Sequence, residues 1–172
     1  MVATFLQSEL ADELKTILAD VRLKNPCGEV SAINVFEQFL PMPESANLED
    51  IPPELLENGL ADEQTVPDPY PYIIIRINDG EIKDEDSAQI VNITLLIGTY
   101  EQDYDKQGNK DILNIISKIY ERFAKAPVLN GKYTIQYPIL WTLQDEETYP
   151  FYFGGMSLTF EIAGIRREDK YS

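Results

Sequence analysis

The chain has 172 residues, 44% of them hydrophobic and 26% charged, enough to fill one ordinary core and too apolar for general disorder. Thirty acidic residues against 14 basic ones give a formal charge of −16, which argues against nucleic-acid binding, because affinity for phosphates comes from Lys and Arg releasing counterions. Histidine is absent and Cys27 is the one cysteine, which removes imidazole chemistry, a cysteine-based zinc cage and an intramolecular disulfide, and suits a reducing compartment.

The start, MVATFLQSELADELK, has neither a basic leader nor a continuous apolar run, so no secretory signal is expected. No segment approaches the roughly 20 apolar residues of a membrane helix. Residues 5–24 read as a first helix, with Phe5, Leu6, Leu10, Leu14, Ile17, Leu18 and Val21 at three- and four-residue spacing. Thr4 and Gln7 form a candidate capping box, and Pro26 ends the element. Cys27 reads as a small half-buried residue beside a turn. Residues 29–40, EVSAINVFEQFL, favour one strand that stops before Pro41.

Residues 41–71 form a distinct segment. They hold seven of the eleven prolines and eight acidic residues without a basic one. Such proline density forbids a continuous helix or strand and leaves a long excursion with at most a short helix at 53–58, stopped by Gly59. Beyond it, YIIIRI at 72–77 and AQIVNITLLIGTY at 88–100 predict an antiparallel hairpin, with Asp79-Gly80 suited to its turn. KDILNIISKIYERFAKAP supplies a second helix, striped by Ile112, Ile115, Ile116, Ile119 and Phe123 and ended by Pro127.

The last two strands alternate most regularly. Tyr133, Ile135, Tyr137, Ile139, Trp141 and Leu143 share one predicted face, and Pro138 among them marks an edge or a bulge. Met156, Leu158, Phe160 and Ile162 repeat the pattern. Gly154-Gly155 is expected to bend or bulge the last strand at its start, with Tyr149, Phe151, Tyr152 and Phe153 plugging the core end beside Trp141. The elements predict one α+β domain over 1–172: two layers, a four- to five-stranded mainly antiparallel sheet, and two main helices on one face. The opposite, half-polar face stays wet or meets another subunit.

Catalytic motifs are scarce. No Gly-rich phosphate loop, nucleophile elbow or dinucleotide fingerprint occurs. Asp145, Glu146 and Glu147 read as a solvated turn rather than a carboxylate site. In DYDKQGNKDILN, Asp103, Asp105, Gln107, Gly108, Asp111 and Asn114 occupy calcium-loop positions, but the last should be a bidentate Glu and a strand precedes the loop. A turn leading into a helix accounts for the same residues. No catalytic residue, cofactor or assigned metal site is expected.

The hairpin YPYIIIRINDGE…VNITLLIGTYEQD, the helix DILNIISKIYERF, and the strands YPILWTL and YPFYFGGMSLTFEI resemble, in order and character, tail-terminator (tail-completion) proteins of tailed phages and prophages of Gram-positive bacteria. The resemblance implies a non-enzymatic structural subunit, in a ring that is typically hexameric. Such a ring sits at the head-proximal end of the tail tube, stops tube growth and docks to the head connector, in a virion assembled in the host cytoplasm. Its implied partners are further copies of itself, the tube protein and the connector, with no specific nucleic-acid binding and no membrane. The acidic segment at 41–71 is a departure from that pattern. Another neck or head–tail joining component, a small binding module or a calcium-binding domain are the alternatives. The partner contacts expected on this reading are Glu44, Glu49, Asp50, Asp62, Glu63 and Asp68 in the excursion, Asp79, Asp84, Glu85 and Asp86 in the hairpin loop, and the aromatics Tyr149, Phe151 and Tyr152.

Overall fold

A computed structural model describes residues 2–41, 68–103 and 108–165. In chain order these form α1 Val2–Ile17, β1 Arg22–Lys24, β2 Val30–Ala32, β3 Asn34–Glu37, β4 Tyr72–Ile82, β5 Gln89–Tyr100, α2 Asn109–Lys125, β6 Val128–Leu129, β7 Tyr133–Leu143 and β8 Phe151–Ile162. The fold is α+β, and with 44% strand against 24% helix among the described residues the sheet dominates it.

The sheet overturns the expected four- to five-stranded, mainly antiparallel layer with two helices on one face. It has six strands in the order β3-β4-β5-β8-β7-β6, and β3 runs parallel to β4 while the other pairs are antiparallel, so it is a mixed and curled sheet. The additional strands are short pieces that alternation cannot register. The run at 29–40 divides: β2 turns back on β1 in a separate hairpin, and only β3 joins the sheet. The same hairpin ends the first helix at Ile17 instead of residue 24.

The curl has local causes. Register shifts between Ile77 and Asp79 on β4, and between Gln136 and Leu140 on β7; extra residues on one strand bend it and increase its twist. The Asp79-Gly80 step is therefore not the hairpin turn, since β4 runs through it to Ile82 and the chain reverses over 83–88. Over so curved a surface each helix takes its own part: α1 lies on β3 and β4, and α2 on β8, β7 and β5.

One core joins them. Leu6, Leu10 and Leu14 of α1 and Ile112, Ile115, Ile119 and Phe123 of α2 bury against Ile73, Ile75, Ile93, Leu95, Leu158 and Phe160. Phe123 meets Phe160 edge-on, with ring centroids 5.5 Å apart. Phe5, expected in the α1 stripe, is 62% exposed, and Ala11 and Gln7 are buried instead. Gln7 does not cap the helix, which begins at Val2; its amide donates to Gln38 Oε1 (3.0 Å) and to the Ile75 carbonyl (2.8 Å), tying α1 to the sheet. Cys27 is exposed rather than half-buried.

Gly154-Gly155 makes no bulge between β5 and β8, which stay in continuous register from Gln89↔Ile162 to Tyr100↔Phe151. A Cβ on Gly154 would stand 2.6 Å from Ile112 Cγ2 and 3.0 Å from the Thr142 carbonyl oxygen. The glycine is there so that α2 can seat on β8.

Candidate functional site

The surface least explained by packing is β7. Its six predicted alternations bury only Tyr133 and Ile135; Tyr137, Leu140 and Trp141 are each more than half exposed. The bulge expected at Pro138 lies between Gln136 and Leu140, and past it the strand outruns its cover on one side. β6 pairs only with Tyr133 and Thr134. Gln144 gives its N–H to the Phe153 carbonyl (3.0 Å), so counting back by alternate residues Trp141 and Leu143 turn their backbone groups to the other side. No strand of the described residues pairs there.

Both faces of this edge are apolar. On the helix side Ile139 and Trp141 lie beside Ile116, Tyr120 and Met156. On the opposite side a groove of about 320 Å³ is lined by Leu96, Leu140, Thr142, Phe153 and Gly155. Trp141 thus forms a shelf at the strand edge and does not join an aromatic plug. The strand itself carries no charge from Tyr133 to Leu143, and Asp145, Glu146 and Glu147 follow it, all exposed.

A second edge, unpaired among the described residues, lies at the far side of the sheet. Asn34 and Gln38 donate their N–H groups to Pro71 and Ile75 of the neighbouring chain segment (2.9 and 2.8 Å), so Val35 and Glu37 direct theirs outward. Gln38, at φ +66, ends β3 and accepts Ile77 N–H on its Oε1 (3.0 Å). This turn delivers Phe39 to the surface, 68% exposed, with the Arg76 guanidinium 5.6 Å from its ring centroid.

The residues expected to make partner contacts fall elsewhere. Glu44, Glu49, Asp50, Asp62 and Glu63 lie outside the described residues. Asp68 accepts Tyr70 N–H at 3.0 Å. Asp79 accepts from Asn92 (2.6 Å) within the sheet, and Asp84, Glu85 and Asp86 form the exposed loop between β4 and β5. Hydrogen bonding from Ser87, then from the Asp86 backbone, holds the Asp84 carboxyl below its ordinary pKa.

The aromatics sit at the other end of the same strands. Tyr149 donates to the Gln102 carbonyl. Phe151 packs with Tyr70 and Tyr100 at 4.8 and 5.5 Å, and Tyr152 covers Gly108 at the start of α2. The structure therefore places the three aromatics at one end of the sheet, with Phe151 and Tyr152 on opposite faces of β8, and keeps the hairpin acids apart from them, with the length of β5 between. Of the calcium-loop residues, Asp105 and Gln107 lie outside the described residues, and Asp111 stands in the first turn of α2. Among the described residues, no three His, Cys, Asp or Glu side chains converge to hold an ion.

Of the two edges, the strand of Pro138 was expected as an edge that could serve subunit contacts; the β3 edge was not among the expected contacts. The available signal was Pro138 within a charge-free run: proline is tolerated in a strand where a ladder is broken or ends, and the missing charge leaves that edge without the usual guard against pairing. Among the described residues, no helix is long and apolar enough to cross a membrane. Comparison of the chain with protein-family models and with curated proteins finds no match.

Proposed function

We propose that the chain is a non-enzymatic assembly subunit of a tailed phage or prophage. It acts as a tail terminator that closes into a ring on the head-proximal end of the tail tube, stops tube growth and docks to the head connector. The proposal draws on the resemblance of the hairpin, α2 and the final strand pair to that family.

The observation that carries it is the edge of β7. In a chain of charge −16, this strand is uncharged and presents Tyr137, Leu140 and Trp141 to solvent. Native sheets guard such edges with charge or cover, because an open apolar edge pairs with other chains. An edge left open in this way is suited to a protein neighbour. Tube protein from the same phage or prophage, polymerised with and without this chain and viewed by electron microscopy, tests the reading. Short tubes each bearing a ring at one end are expected; tubes of unchanged length with bare ends would overturn it.

A further inference from the structure

We infer that copies of this chain associate head to tail, the β7 edge of one docking on the β3 edge of the next. This deepens the ring reading and depends on it for the place where the contact is used. Four independent features point to this pairing.

First, among the described residues the two unpaired edges are on opposite sides of one sheet, so each copy offers one of each and contacts need not be self-complementary. Second, both edges expose large apolar side chains, Tyr137, Leu140 and Trp141 on one and Phe39 on the other. Third, strand directions agree. Following the pairings across the sheet, β3 and β7 run in opposite senses. A second copy placed beside the first with the same face outward therefore sets β7 antiparallel to the new β3, the geometry in which a sheet continues most readily.

Fourth, the charges match in that alignment. The C-terminal end of β7, with Asp145, Glu146 and Glu147 after it, comes to the N-terminal end of the next β3. The β1–β2 hairpin leads directly into that end and carries Arg22, exposed at its base, while Lys24 lies beside Tyr100 to Asp103 at the end of β5. The opposite end of the contact sets Tyr137 towards Phe39 and the Arg76 guanidinium above it. A contact between two copies of β7 has no second edge and leaves Phe39 without a role.

Sedimentation and light scattering on two surface variants test this. Wild-type chain is expected to gain mass with concentration, and emission from Trp141, the single tryptophan, to shift blue as the edge is covered. Leu140→Lys and Phe39→Lys should each raise the dissociation constant at least about tenfold, a loss of 1.4 kcal/mol. Mixed in equal amounts, the two variants should form a two-chain species, because each retains the edge that the other lacks. Arg22→Glu should weaken association as well, and Asp145, Glu146 and Glu147→Lys in the same chain should restore it.

A wild-type chain of single-chain mass at every soluble concentration would overturn the inference. So would a Phe39→Lys variant that associates like wild type while Leu140→Lys does not, since that is the signature of a two-fold β7 contact. If tubes are not capped while the variants complement, the tail role falls and the contact stands. If tubes are capped but complementation fails, the contact falls and the tail role stands.

Discussion

Gly154 and Ile112 show how narrow the tolerance of this core is at the scale of one atom. With a prospective Cβ 2.6 Å from Ile112 Cγ2 and 3.0 Å from a backbone oxygen, Gly154→Ala leaves the methyl group nowhere to go unless α2 moves. Overpacking of this kind costs about 1–3 kcal/mol, which for a chain of this size lowers the melting temperature by roughly 2–4 °C per kcal/mol. Ile112→Ala, which removes Cγ2, should cost less in the Gly154→Ala chain than in wild type, and calorimetry on the four chains checks the coupling. Tyr72 gives a second prediction at this scale. It lies over Gly98, and burial, then the charge and hydroxyl of Tyr70, push its pKa up to about 12 from 10.0. The folded chain therefore binds the phenol proton more tightly than the unfolded one, so this contribution is complete below pH 10 and is lost as pH rises towards 12. The urea midpoint should fall over that window, and Tyr72→Phe should make the fall shallower; Tyr70 and Tyr133, raised in the same direction mainly by burial, keep it from vanishing.

At the scale of elements, legibility followed the range of the interactions. α2 is read almost whole from sequence, Asn109–Lys125 against an expected 110–127, because its stripe and its terminal Pro127 are local signals. β5 and β8 are equally plain, since both are buried on one face along their length. β7 alternates as regularly but buries only its first third, because period two reports a side-chain pattern and not whether another strand or helix reaches that far. β3 falls inside the strand expected at 29–40, but its separation from β2 and its parallel pairing to β4, more than 30 residues away, are announced by no local pattern. The candidate site inherits this limit. Loop acids and aromatic runs stand out in a sequence, whereas the openness of the β7 and β3 edges depends on the order of all six strands. Gly154-Gly155 was legible as a special point, but its reason was not, since the helix that demands it comes from elsewhere in the chain.

For the whole molecule, the charge decides how self-association responds to salt. Each copy carries −16, most of it beyond the few residues that would touch, so approach is opposed by many like charges over long distances. The favourable part is local: exposed Arg22 against the acids after β7, with pairs of this kind worth about 0–1 kcal/mol each. Like charges outnumber these pairs, and their repulsion acts over the longer range. The screening length shrinks from about 30 Å at 0.01 M salt to about 8 Å at 0.15 M, which removes the distant repulsion and leaves the apolar edge contact almost untouched. Association measured by sedimentation should therefore tighten as salt rises over that range and then level off. The Arg22→Glu chain, more acidic by two charges, should gain more from salt than wild type. An affinity that instead declines steadily with salt would mean that ion pairs, and not Leu140, Trp141 and Phe39, hold the copies together.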